Sequence, residues 1–248
     1  MVWFADPERF AADQLAALVT EATGGDLHTV LAPQAVWLDD VERARAKRAL
    51  EDLAAQYAGE PVNGNEPAFT DVAELLTRPP EARFGWFSDL VSSTRLRVLV
   101  AGSRWFSLVA VGEGDDIFVR TFDEERLAVA LASILPAGAG RAGRAPISVL
   151  ASEYREAAHD TAALPRAEVR RAQRFAELEP SMIAELYVEA RRPDGHHTIS
   201  EPLRVYDTEQ GRWLFTTSPE YGDERLTLAP ATTMDVVAAL DALRNSMD

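Results

Sequence analysis

An acid, a hydroxyl and a guanidinium fall close together in "VYDTEQGRWLFTTS" (205–218): Asp207, Thr208 and Arg212. Such a trio could move a proton, hold an anion or simply shape a turn. Its surroundings favour the turn. One β-forming run, 203–206, precedes the trio and a second, 213–217, follows it. Asp and Thr side chains hydrogen-bond turn backbone, and Gly211 tolerates a positive φ, so a hairpin with a five-residue connection is expected. Trp213 would then face the core and Arg212 the solvent.

The other chemical candidates are weaker. Gly138, Gly140 and Gly143 match the spacing of a dinucleotide fingerprint, which works only where a strand runs into a helix. Here a helical pattern precedes the glycines and the extended "PISVL" (146–150) follows. The order is reversed, and "PAGAGRAGRAP" (136–146) reads as a flexible connector. His196 and His197 are adjacent, so on a strand their rings would point to opposite faces and share no metal. His159 and Asp160 diverge on a helix, and His28 stands alone. No Gly-x-Ser-x-Gly elbow occurs, and carboxylates are too plentiful for any pair to be informative. The reading is a non-enzyme with no catalytic, cofactor-binding or metal residues and no cofactor.

The totals exclude further classes. The 248 residues can bury a real core, and 40 acidic against 25 basic residues leave a net charge of −15. That charge repels nucleic acid and anionic lipid. All the basic residues but Lys47 are Arg, a compositional bias without functional content. With no Cys there are no disulfides and no thiol chemistry. The opening "MVWFADPERF" has no signal-peptide pattern, and no apolar run approaches the roughly 20 residues of a membrane span. A cytoplasmic location is expected.

The elements that would position these residues are legible from their periods. An amphipathic helix is expected from Pro7 to about Thr23, then a short strand at 27–33, a helix at 39–59 capped by Gly59, a loop at 60–67 and a short helix at 72–76. Strands follow at 82–90, 95–101, 104–111 and 116–122, with a helix whose capping box pairs Thr121 with Glu124. Helices at 152–163 and 166–178 then lead to strands at 183–192, 201–207, 212–218 and 224–229 and a last helix from Thr232, with Asp235 completing its capping box. Offset by 108 residues, Arg104-Trp105 falls on Arg212-Trp213, Gly114-Asp115 on Gly222-Asp223, and Val129-Ala130 on Val237-Ala238. The pattern is an internal duplication. The expected fold is α/β (α+β): pseudo-twofold, duplicated four-stranded antiparallel meanders forming a central sheet, flanked by helical bundles. The two halves would be 1–150 and 151–248, forming one compact unit.

At this point a resemblance enters. Tyr206, Asp207, Thr208, Gly211, Arg212, Trp213 and Leu214, then Leu226, Pro230 and Ala231, resemble the C-terminal half of the EspG family of type VII (ESX) secretion. "DVAELLTRPP" (71–80) and "LAVALASILPAGAGRAGRAPISV" (127–149) resemble its first-half helix and its Gly-rich connector. The resemblance spans about 70–245; the first 60 residues match weakly, and 39–59 is unusually charged. It implies a non-catalytic cytosolic chaperone that binds a secreted helical client, a PE–PPE heterodimer through the helical tip of its PPE subunit or an analogous type VII substrate, keeps it soluble and delivers it for export. It also implies contacts from a first-half loop and the C-terminal helices. By position in the meander that loop is Asp89, Leu90, Val91, Ser92, Ser93 and Thr94. Leu90 and Val91 either recognise an apolar helix tip or finish a strand and face the core. Two other classes stay open: an adaptor or immunity-like module, and a ligand-binding α/β protein or enzyme with a pocket near His196 and His197.

Overall fold

The computed structural model describes residues 6–33, 48, 67–122, 126–137, 140–159, 165–192 and 194–247. Apart from residue 48 the expected helix at 39–59 lies outside these residues, as do Glu124, Gly138, Asp160 and the side chain of His159.

The strands are β1 (Glu8–Ala11), β2 (Glu81–Asp89), β3 (Thr94–Gly102), β4 (Ser107–Glu113), β5 (Asp116–Phe122), β6 (Ile147–Leu150), β7 (Met182–Arg191), β8 (His197–Ile199), β9 (Leu203–Thr208), β10 (Gly211–Glu220) and β11 (Asp223–Pro230). The described helices are α1 (Ala12–Thr23), α2 (Phe69–Thr77), α3 (Leu127–Ala132), α4 (Ala151–His159), α5 (Ala167–Ala176) and α6 (Thr233–Asn245). All eleven described strands form one sheet, ordered β1-β5-β4-β3-β2-β7-β9-β10-β11-β6, with β8 beside β7. Each half runs strand, helix, helix, four-stranded meander, helix. Its first strand returns to the outer edge, β1 beside β5 and β6 beside β11. The duplication is therefore larger than the meander: among the described strands each half contributes a corresponding five, with β8 a sixth in the second half. β1 occupies the start of the stretch from Pro7 that was expected to be helical. Its pairing with β5 outweighs the helical pattern, and the helix begins at Ala12.

Strand register sets which residues share a face. On one face, α1 and α2 cover Phe84, Leu99, Leu108 and Ile117, while α5 covers Ile147, Trp213 and Leu228. On the other face, α3 and α6 pack over Val98, Val100, Leu186 and Val205. Both faces are covered, so neighbours on one strand can both be buried. The segment 27–33 forms turns rather than a strand, because Leu27, Val30 and Leu31 enter the core at helical rather than alternating spacing. Thr121 is buried within β5, and α3 begins at Leu127, with Arg126 at its N-cap. The box at Thr232 and Asp235 forms as expected, with the Asp235 N–H donating to Thr232 Oγ1 at 3.2 Å and the Thr232 N–H to Asp235 Oδ2 at 2.7 Å.

The halves join at β2 and β7, which pair antiparallel from Glu81↔Ala190 to Asp89↔Met182. Gly85 faces Leu186 near the middle of this seam. A Cβ on Gly85 would lie 2.4 Å from the Glu185 carbonyl oxygen and 2.9 Å from Leu186 Cδ2. The backbones approach this closely only because Gly85 has no side chain. Gly85→Ala is expected to part the seam and to cost stability at the upper end of the about 1–3 kcal/mol typical of overpacking. Urea denaturation of the two proteins measures it.

The duplicated identities divide cleanly. Gly114 and Gly222 both take positive φ (55° and 85°) in the turn between the third and fourth meander strands. Val129 and Val237 both lie in the closing helices. Arg104 and Trp105, however, lie in the β3–β4 turn, where Ser103 Oγ accepts from the Trp105 and Phe106 N–H groups. Arg212 and Trp213 lie within β10. That identity is not architectural.

Candidate functional site

Register also sorts the turns to the two ends of the sheet. Asp89 of β2 pairs with Met182 of β7, Met182 with Asp207 of β9, and Asp207 with Arg212 of β10. The β2–β3 loop, the entry to β7 and the β9–β10 turn therefore line one end. Hydrogen bonds tie them: the Leu90 N–H donates to the Ser181 carbonyl at 2.9 Å, and the Ser181 N–H to the Asp207 carbonyl at 2.7 Å.

The β2–β3 loop is organised by its own side chains. Asp89 Oδ1 accepts from the N–H groups of Val91 (2.8 Å) and Ser92 (3.0 Å), and Ser92 Oγ donates to Thr94 Oγ1 (3.0 Å). Bonds from Ser92, backbone then side chain, and from the Val91 N–H hold the Asp89 carboxyl below its ordinary value. Ser93 closes the turn at φ 58°. With the loop backbone held by Asp89, Leu90 is 48% and Val91 81% exposed. Neither finishes a strand inside the core. A few residues away on β2, the half-exposed Trp86 meets Tyr187 and Phe84 edge-on, and Phe84 stacks on Tyr187 at 5.1 Å. Burial, then the bond to Glu185, pushes the Tyr187 hydroxyl up to about 12.

The Asp207–Arg212 stretch is a hairpin, but tighter than its composition implies. Thr208 pairs with Gly211, leaving only Glu209 and Gln210 as the turn. Arg212 does not face solvent. It is fully buried under α6, with Nε and Nη2 each donating to an Asp207 carboxylate oxygen at 2.7 Å, Nη1 to Thr233 Oγ1 at 2.8 Å and Nη2 also to the Pro136 carbonyl at 2.9 Å. Trp213, 1% exposed, faces the core as expected. Every terminal nitrogen of Arg212 is engaged, so this is a clamp and not a reaction centre.

The connector is part of that clamp. The Arg212 N–H donates to the Gly140 carbonyl at 2.8 Å, Arg141 bridges to Arg212, and Ala142 is buried. Gly211 has φ 107°, and a Cβ there would meet the Gly140 oxygen at 2.7 Å. The stretch 140–142 is thus a strap fastened across the start of β10. It leads into β6, not from a strand into a helix.

His28 is not alone. Its Nε2 lies 2.8 Å from Oε2 of the buried Glu189, while His197 Nε2 lies 2.8 Å from Oε1 and Arg191 Nη2 3.0 Å from the same oxygen. Val30 N–H reaches His28 Nδ1 at 3.3 Å, which leaves Nε2 as the donor toward Glu189. This latch joins the first half to β7 and β8. Its members are 161 residues apart, and no local pattern marks them. His196 is exposed and contacts Thr198. Among the described residues no group of three or more His, Asp or Glu is arranged to hold a metal.

Burial pushes the Glu189 carboxyl up, but the bond from His28 and the electrostatic pull of His28, His197 and Arg191 outweigh it, leaving a net depression below 4.5. A depressed carboxyl stabilises the fold above its unfolded value, and that stabilisation is lost as pH falls through the folded value. Urea midpoints should therefore drop below about pH 4.5 in part through this group. Glu189→Gln is expected to lower stability at neutral pH and to flatten the acid limb of the curve.

The molecule is thus a paired-half α+β scaffold with a preorganised, apolar-tipped loop at one end of its sheet. The chain belongs to the EspG family, whose model matches residues 11–242. Among solved structures it is similar to the Mycobacterium tuberculosis type VII secretion chaperone EspG5, determined in complex with a PE25–PPE41 dimer. The TM-score is 0.68 and the identity 14%, over 97% of this chain and 96% of that one. No curated protein sequence matches the chain. Among the described residues no helix is long and apolar enough to cross a membrane.

Proposed function

We propose that the protein is a non-catalytic cytoplasmic chaperone of a type VII secretion system, binding a PE–PPE-type helical client, keeping it soluble and delivering it for export. The observation that carries this reading is the exposed Leu90–Val91 pair on a loop whose backbone is already ordered, in a chain of the EspG family. A preordered loop loses little freedom on binding, and two apolar side chains can cover the apolar tip of a helical hairpin. The likeness to EspG5, which was solved with a PE25–PPE41 dimer, supports the choice of client. In this reading the half 1–150 supplies the contact loop through Asp89, Leu90, Val91, Ser92, Ser93 and Thr94. The half 151–248 supplies helices beside it.

The test is co-expression with a PE–PPE pair encoded in the same genome, followed by size-exclusion chromatography with light scattering. The expected result is one complex holding one copy of each chain, with the client soluble only when the chaperone is present. Clients that stay aggregated in its presence, with no co-elution, would overturn the reading.

A further inference from the structure

The two helical layers on one face of the sheet are not packed alike. In the first half, α1 and α2 press Leu15, Leu18, Val72 and Leu76 onto the strands. In the second half, the corresponding space beneath α4 and α5 holds a cavity of about 380 Å³. That volume lies within the about 300–1,000 Å³ of small-molecule sites. Its walls are mostly apolar, with Phe175, Phe215 and Leu228 beside Tyr154, Tyr206 and Thr208. It does not lie at His196 and His197, where a ligand-binding reading of the sequence would put it.

Beside this cavity is a second, smaller space of about 40 Å³ that shares Ile147, Phe175 and Leu178 as walls. Arg144, Arg171, Arg174, Gln210 and Trp213 complete it. Arg171 is engaged with Glu168 and the Ala145 carbonyl. Arg144 and Arg174 have no carboxylate partner among the described residues. The Trp213 indole N–H is buried without an acceptor, in a residue that is itself 1% exposed. A buried donor left unmet is costly. Unpartnered arginines collected at one mouth are conspicuous on a chain of net charge −15. An apolar cavity with a cationic, hydrogen-bond-donating mouth is complementary to a molecule with one apolar tail and one anionic head.

We propose that this site binds a single-chain carboxylate amphiphile, with its acyl tail beneath α4 and α5 and its carboxylate among Arg144, Arg174 and the Trp213 N–H. The site is separate from the Asp89–Thr94 loop and does not rest on the chaperone reading.

Isothermal titration calorimetry of the full chain with dodecanoate, kept below its micelle concentration, tests it. Dodecyltrimethylammonium supplies the same tail with the opposite charge. One-to-one binding of dodecanoate is expected, at least tenfold tighter than the ammonium compound and about tenfold weaker for decanoate, which has two fewer methylenes. Ala172→Trp, which fills the cavity, should abolish binding. The exposed Arg174→Glu, which leaves the core untouched, should weaken dodecanoate about tenfold and spare the ammonium compound. Absence of saturable heat, equal binding of both head groups, or unchanged dodecanoate affinity in Arg174→Glu would each overturn the proposal.

Discussion

Arg212→Ala is expected to lower the free energy of unfolding by about 3–5 kcal/mol, the range for breaking a buried ion pair by removing one partner. The loss comes less from the attraction removed than from what is left behind. Asp207 would remain buried between β7 and β10 with both carboxylate oxygens deprived of their donors. The Pro136 carbonyl and Thr233 Oγ1 would lose theirs as well. The connector and the start of α6 are both fastened here, so urea denaturation should show the lower midpoint, and limited proteolysis should cut the connector near Gly140 sooner. Replacing both partners, Asp207→Leu with Arg212→Met, should recover most of the stability, because no charge then remains in the apolar layer. A loss under about 1 kcal/mol for Arg212→Ala would place the pair in the class of solvated surface bridges.

Much of this architecture is visible in the residues, and the failures share a cause. The meander strands, the turn glycines Gly114 and Gly222 and the Thr232 cap follow from local period and turn chemistry, which act over a few residues. What local pattern cannot supply is the identity of the layer on the opposite face of the sheet. Arg212 reads as an outward residue because Trp213 faces inward, yet α6 and the Pro136 strap cover its face too. Glu189 and His28 meet across 161 residues, and a charged residue on an alternating strand looks like any solvent-facing one. β1 is lost to the helical pattern that follows it, because its strand character depends on its pairing with β5. The candidate loop shows the opposite case. Its position in the meander and its two apolar residues can be read directly, whereas the Asp89 bonds that hold it, and the resulting exposure of Leu90 and Val91, require the folded chain.

Leu90→Asp with Val91→Asp is expected to weaken client binding by about 100-fold or more while leaving thermal unfolding unchanged. Fully burying an apolar side chain of this size contributes about 1.5–3 kcal/mol, and a carboxylate pressed onto an apolar helix tip adds a desolvation penalty. Stability should hold because the two side chains are 48% and 81% exposed and belong to no core cluster. The Asp89 bonds that order the turn come from backbone N–H groups, which the substitutions keep. Exposure alone does not make a contact, and the molecule contains its own control. Trp105, 88% exposed, sits in the β3–β4 turn, at the end of the sheet opposite the Asp89–Thr94 loop. Trp105→Asp should leave affinity within about twofold if the client sits at the loop end, since surface changes away from an interface are near neutral. Surface plasmon resonance with an immobilised PE–PPE pair measures both proteins. If Trp105→Asp abolished binding and the Leu90–Val91 double change did not, the contact surface would lie at the other end of the sheet, and the ordered turn at Asp89 would be a structural device only.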